Sequence, residues 1–359
     1  MTDISDLRVS TFENVGNTCY LNATLHCLFA TDYLVSYFNS GDYTTLIVGN
    51  IKQTKKDLDT NKIIKKFRKT LSYAFKSLSV VFWGEHCVIL PKSFKHRIGK
   101  LMPVFNGSDQ CDSFELINFI LDTLHSELRY PVEIEIPLMR DDDKSLLKEF
   151  NLYLKSYLTG NFSPITKMFG GFYLSHIVCD ECKVISNKFE FFNALSLCIS
   201  DIEGENIYDC ITEFTKTHSL IDDNKYFCTH CNKKTNATIT VSFWKLPSRL
   251  IIHLKRFNIR DKKLEKNNSL ITFPITNLDM TQYYDPEVKQ TCKYNLYGVI
   301  QHSGSFSVGH YIAYTKNLLD KKWYRFNDSN VVEIDDDNIE HEVVDNFTYI
   351  LFYELIATD

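Results

Sequence analysis

The sequence predicts an α+β chain, helices first and strands later, on three observations. Apolar residues recur at helical spacing through the first half. From about Tyr173, shorter runs rich in β-branched and aromatic residues take over, separated by polar turns. Two Cys-x-x-Cys turns lie inside that strand-rich half. Taken in order, Asn17 and Thr18 offer N-cap side chains to a first helix carrying Tyr20, Leu21, Leu25, Leu28 and Phe29. A second helix is predicted over 63–78, its lysines facing outward. The clearest, 113–128, aligns Phe114, Ile117, Ile120, Leu121, Leu124 and Leu128 in one stripe. Strands are predicted over 238–244, 250–254, 294–301, 311–314 and 347–353, and loops over 141–144, 261–269 and 335–342.

Composition narrows the function. Hydrophobic residues are 44% of the 359 and charged residues 24%, enough apolar surface to exclude a disordered chain. The length admits two domains or one elaborated domain, and only 13 Gly and 8 Pro leave little for long linkers. A net charge of −5 argues against a chain whose main task is neutralising nucleic-acid phosphates, although a local basic patch is compatible with it. The N-terminus has no apolar signal segment, and no run approaches the ~20 apolar residues of a membrane span. The expectation is a soluble intracellular monomer of the cytoplasm or nucleus, with no membrane and no nucleic-acid partner. In a reducing compartment, eleven cysteines are expected to be metal ligands, a nucleophile or core fillers rather than disulfides.

Cys179-Asp180-Glu181-Cys182 and Cys228-Thr229-His230-Cys231 are paired knuckles. Two sulfurs from each can surround one Zn²⁺ tetrahedrally. The 45 residues between them exceed ordinary zinc-ribbon spacing, which puts the knuckles at the tips of long hairpins. One such turn alone reads equally as a redox pair or two buried thiols; two together favour zinc. Four sulfurs close the site, so the expected metal is structural, one per chain, with no organic cofactor. His230 lies inside its knuckle and is expected to be exposed.

Cys19 sits where the Asn-Thr cap meets the start of a helix. Backbone N–H groups and the helix dipole favour an anion there, the form in which a thiol attacks. A small hydrophobe in the core is the other reading of this cysteine. A base is available at Gly309-His310-Tyr311, which follows a Ser/Gly-rich loop and opens a strand. Seventeen residues on, Trp323-Tyr324-Arg325-Phe326 leads to Asn327 and Asp328. A hairpin of that length returns Asn327 beside His310, where its side chain orients the imidazole.

The segment Phe12-Glu13-Asn14-Val15-Gly16-Asn17-Thr18-Cys19-Tyr20-Leu21-Asn22 resembles the cysteine box of the ubiquitin-specific proteases, papain-like deubiquitinating enzymes. Gly309 to Tyr314, followed by Trp323 to Ser329, resembles their histidine box. Gln110 to Glu115 is similar to the start of their Gln-Gln-Asp helix. Leu246 through Phe257 and Tyr349 to Tyr353 are similar to two of their core strands. The match spans nearly the whole chain.

The resemblance implies a papain-like cysteine protease fold. A helical thumb would occupy about 12–160, β fingers with the zinc knuckles mainly 161–245, and a β palm with the histidine box mainly 246–359, after a short extension 1–11. It implies Cys19 as nucleophile, His310 as general base, Asn327 as its orienter and Asp328 as a second polar partner. Asn14 would donate to the oxyanion. Gln110, Asp112 and Glu115 would meet the basic C-terminal tail of ubiquitin, with helix capping as the other reading of the two carboxylates. His253 is read as packed in the palm and His302 as loop-supporting. Cys111 and Phe114 depart from the family pattern at the tail contacts. The implied partners are ubiquitin and ubiquitinated proteins, together with a protein that activates or targets the enzyme. A non-catalytic ubiquitin-binding module, or a protease for another ubiquitin-like modifier, is the alternative function.

Overall fold

The computed structural model describes residues 9–357 except 55–57, 85, 136–144, 200–203, 261–262 and 306–307. Helices fill the first half, among them Cys19–Phe29, Thr60–Phe67, Leu71–Gly84, Lys92–Leu101, Ser113–Leu128 and Leu146–Asn161. The single helix expected over 63–78 is two. The second starts afresh at Leu71 because the Glu127 carboxylate, on the neighbouring helix Ser113–Leu128, caps it. That carboxylate accepts from the backbone N–H of Leu71 (2.8 Å) and Ser72 (2.8 Å) and from the Ser72 hydroxyl (2.7 Å). Periodicity cannot report a cap that arrives from a distant segment. Replacing Glu127 by alanine is expected to cost about 2 kcal/mol, since it orphans charge-assisted donors at a buried helix start. Urea unfolding checks this, and a loss below about 0.5 kcal/mol would remove Glu127 as the cap.

Cys19–Phe29 is buried along its whole length. Thumb helices cover one side of it and the palm sheet the other, joined in one core that includes Phe12, Phe29, Phe75, Ile117, Tyr311 and Phe352. The expected cap is absent: Thr18 Oγ1 accepts from Val15 N–H (3.0 Å) instead, and Asn17 donates to the Ser108 carbonyl (2.7 Å).

The palm is an eight-stranded sheet. Its order is Asn330–Ile334, Trp323–Asn327, Gly309–Lys316, Lys293–Gly304, Thr348–Leu355, Arg249–Lys255 and Leu195–Cys198, with Leu278–Asp279 added to Lys293–Gly304. Neighbours are antiparallel except the pair Arg249–Lys255 and Leu195–Cys198. A second sheet, ordered Ile185–Phe192, Gly171–Cys179, Ala237–Lys245 and His218–Leu220, projects as the fingers. Helix Leu146–Asn161 packs on its base through Phe150, against Phe172, Phe189 and Trp244.

All five predicted strands are present. Two predicted loops are not loops. Within 261–269, Lys263–Lys266 pairs with Phe257–Arg260, and 335–342 contains the short helix Ile339–Val343. The loop expected at 141–144 lies outside the described residues. Leu195–Cys198 falls in the stretch read as mainly fingers yet completes the palm sheet, because parallel pairing to Arg249–Lys255 buries Leu195 and Leu197. Cys198, expected to pack, is exposed. No described helix is long and apolar enough to cross a membrane.

Candidate active site

Gly16 (φ +113°) and Asn17 (φ +50°) turn the chain sharply into helix Cys19–Phe29, so Cys19 becomes its first residue. A side chain at position 16 would strain this left-handed turn. The turn is held from within: Asn14 Oδ1 accepts from the backbone N–H of Gly16 (3.1 Å) and Thr18 (3.1 Å).

His310 reaches Cys19 from the palm. Gly309–Lys316 pairs with Lys293–Gly304 on one side and Trp323–Asn327 on the other. Hairpin register places His310 Nε2 2.7 Å from Asn327 Oδ1. The hydrogen bond with the Cys19 side chain raises the His310 pKa to about 9; burial opposes this, while Asn327 and the charge of Asp328 assist. The imidazolium is therefore the favoured form at neutral pH. Gly309 is required by close approach, since a Cβ there would lie 2.1 Å from His302 Nε2.

Asp328, expected beside the imidazole, hydrogen-bonds elsewhere. Its carboxylate accepts from Asn14 Nδ2 (3.0 Å) and Asn22 Nδ2 (2.8 Å). Asn14, Asn22 and Asp328 thus tie the cysteine box to the end of the histidine box. Asn22 is a polar partner that the sequence motifs by themselves do not single out. Its position three residues after Cys19, on the same helical face, was the available signal.

The model of the family described as ubiquitin carboxyl-terminal hydrolase matches residues 11–353. The chain belongs to the ubiquitin carboxyl-terminal hydrolase family. It is 31% identical to ubiquitin carboxyl-terminal hydrolase 4 of Saccharomyces cerevisiae over 372 aligned residues, covering 96% of this chain and 39% of that protein. It is 32% identical to human ubiquitin carboxyl-terminal hydrolase 3, over 95% of this chain and 66% of that protein. The chain therefore spans about two fifths of the yeast relative. A chain of the SAGA Ubp8/Sgf11/Sus1/Sgf73 DUB module bound to ubiquitin aldehyde shares the fold, with a TM-score of 0.69 at 24% identity, covering 98% of this chain and 70% of that one.

In this ubiquitin carboxyl-terminal hydrolase domain the residues expected at the substrate tail divide. Gln110 Oε1 accepts from Gly309 N–H at 2.6 Å, next to His310. Asp112 does not present a free carboxylate. Its Oδ1 accepts from the N–H groups of Phe114 (2.6 Å) and Glu115 (3.2 Å), and its Oδ2 from the Tyr349 hydroxyl (2.6 Å). Capping, the other reading of this residue, is what the geometry shows. Glu115 is exposed. His253 packs in the palm as expected, stacked on Phe114 at 3.9 Å with Nδ1 near Ser196 Oγ (3.1 Å).

At the fingertips Cys179, Cys182, Cys228 and Cys231 converge, with all four Sγ atoms within 4.8 Å of one another. The Cys179–Cys231 and Cys182–Cys228 sulfurs are 3.9 and 3.7 Å apart. Tetrahedral zinc with bonds of about 2.3 Å spaces sulfurs about 3.8 Å apart, so this donor set fits one metal ion.

Proposed function

We propose that the chain is a thiol-dependent deubiquitinase that hydrolyses the isopeptide bond after the C-terminal Gly of ubiquitin. The observation that carries this reading is His310 set between Cys19, whose side chain raises the His310 pKa, and Asn327, whose Oδ1 lies 2.7 Å from His310 Nε2. The Cys19 sulfur attacks the glycine carbonyl, and the oxyanion accepts from Asn14 Nδ2, whose second hydrogen is not used by Asp328. His310 gives its proton to the departing lysine amine as the thioester forms. It then takes a proton from the water that cleaves the thioester, freeing ubiquitin's carboxylate and regenerating the thiol. Asn327 holds the imidazole, and Asp328 holds Asn14. Gln110 and exposed Glu115 would line the path of the basic ubiquitin tail.

Zn²⁺ held by the four fingertip cysteines would supply folding energy to the fingers and take no part in the reaction. The names of the curated relatives and the family membership support this function.

Activity-based probes ending in an electrophile test the substrate. Ubiquitin should be labelled at Cys19, and other ubiquitin-like modifiers much less. Labelling of another modifier alone, or of none by folded protein, would overturn the proposal.

The raised His310 pKa predicts the alkaline side of the pH profile. Activity should fall through about pH 9, where the imidazolium loses its proton. Asn327→Ala removes an acceptor for the protonated ring, so this limb should move to lower pH. Profiles of kcat/KM against pH check it, and an unmoved limb would take Asn327 out of this role.

A further inference from the structure

Charge is unevenly spread along this chain. Between Ile51 and Lys100 there are thirteen Lys and Arg against three Asp and Glu, in a chain whose net charge is −5. The segment builds the outer thumb, through helices Thr60–Phe67, Leu71–Gly84 and Lys92–Leu101. The last two, with strand Val88–Ile89, enclose a groove of about 330 Å³ whose walls include Tyr73, Leu78, Val81 and Leu90. Leu90 is 57% exposed. Arg68 and Arg97 stand together in this lining, joined by a hydrogen bond from Arg97 Nη2 to the Arg68 carbonyl (3.2 Å). Neither forms an ion pair with a carboxylate among the described residues, and Arg97 Nε is buried without a hydrogen-bond partner.

We infer that this thumb groove docks an acidic segment of a partner protein, with an apolar side chain seated between the helices and carboxylates on Arg68 and Arg97. Charge complementarity selects an acidic partner, since two arginines without carboxylate partners line the groove and a guanidinium favours a carboxylate bidentately. Shape selects a peptide. Phosphate backbones are met through charge alone and make no use of an apolar cleft, and membranes are met by apolar faces that protrude. The groove also abuts the cysteine box. Ile89 pairs with Phe12, and its carbonyl accepts from Glu13 N–H (2.9 Å), one residue before Asn14. A partner held here is held by the catalytic thumb itself. Neither the family membership nor the proposed hydrolysis supplies this surface with an occupant.

The test is fluorescence anisotropy with a labelled helical peptide that carries Leu and Phe at every third or fourth position and Glu and Asp elsewhere. Saturable binding is expected. It should weaken at least about tenfold in the double variant Arg68→Glu/Arg97→Glu, and equally in Ser77→Trp, which fills the groove without changing charge. Leu90→Ser, at an exposed wall residue, gives a second uncharged variant should the tryptophan perturb folding, which thermal unfolding reports. The charge-reversed peptide should not bind. The inference is overturned if no peptide binding is detected, or if both uncharged variants bind like wild type. It is also overturned if duplex DNA or phosphatidylserine vesicles bind the same arginines more tightly than the peptide. The readout involves no turnover, so its failure is distinct from failure of the hydrolase reading.

Discussion

Cys19→Ser is expected to lower hydrolysis of a ubiquitin–aminocoumarin reporter by at least about 10⁴-fold, with ubiquitin affinity unchanged. Cys19 is the thiol whose side chain acts on His310, and a serine hydroxyl is far less acidic than a thiol. His310→Ala should cost nearly as much. The double variant should be little worse than either single one, because nucleophile and base act as one unit. Asp328→Ala should fall between, at roughly 10²-fold, since it frees Asn14 from the position where it meets the developing oxyanion. Single-turnover kinetics with calorimetric ubiquitin binding separates these effects. Above about 1% residual turnover in Cys19→Ser, the nucleophile assignment fails.

The second large effect concerns the fingers. Purified protein should carry about one zinc ion per chain, as expected for one four-sulfur site, and Cys228→Ser should lose it. Besides the sulfurs, the two knuckles are joined by the end of the Gly171–Cys179 and Ala237–Lys245 ladder, by Asp180 N–H to the Asn236 carbonyl (3.0 Å) and by the exposed Lys233–Glu181 ion pair (2.8 Å). Tyr226–Cys228 and Lys233–Thr235 form only a three-residue ladder, and Val184, Ile185, Ile221 and Phe227 at the tips are exposed rather than packed. Without a metal, less remains to offset the conformational entropy of ordering these turns. Zinc removal should therefore raise the KM for ubiquitin substrates at least tenfold, while alkylation of Cys19 by iodoacetamide proceeds at the wild-type rate. Elemental analysis, reporter kinetics and alkylation rates make the check. A metal-free protein with wild-type KM would refute the structural zinc.

The pieces of the candidate site are legible in the sequence because each is built locally, although only the fold brings Cys19 and His310 together. The turn Gly16-Asn17 needs left-handed backbone, the nucleophile must open a helix, and His310 and Asn327 are returned to each other by a single hairpin. The knuckles are likewise short turns, each of which presents two sulfurs, and the pairing of Gly171–Cys179 with Ala237–Lys245 brings them together. Spacing and residue type therefore mark Cys19, His310, Asn327 and the four fingertip cysteines as candidates, and the resemblance to the ubiquitin-specific proteases is what implies the roles of the first three.

Where a residue's partner comes from far along the chain, spacing is silent. Glu127 splits a helix that periodicity reads as continuous. Asp328 turns from the imidazole beside it to Asn14 and Asn22, more than 300 positions away. Tyr349 takes the free oxygen of Asp112 and makes a cap of a carboxylate that otherwise looks available to substrate. Leu195–Cys198 leaves the fingers for the palm because only the palm edge buries its apolar face. The sequence by itself determined the fold class and marked Cys19, His310 and the four knuckle cysteines as candidates, because each sits in a short turn or at the start of a helix or strand whose geometry is set locally. The tertiary structure decided which polar side chains remain free for a substrate, because each buried hydrogen-bonding group takes whichever partner the assembled fold brings within reach.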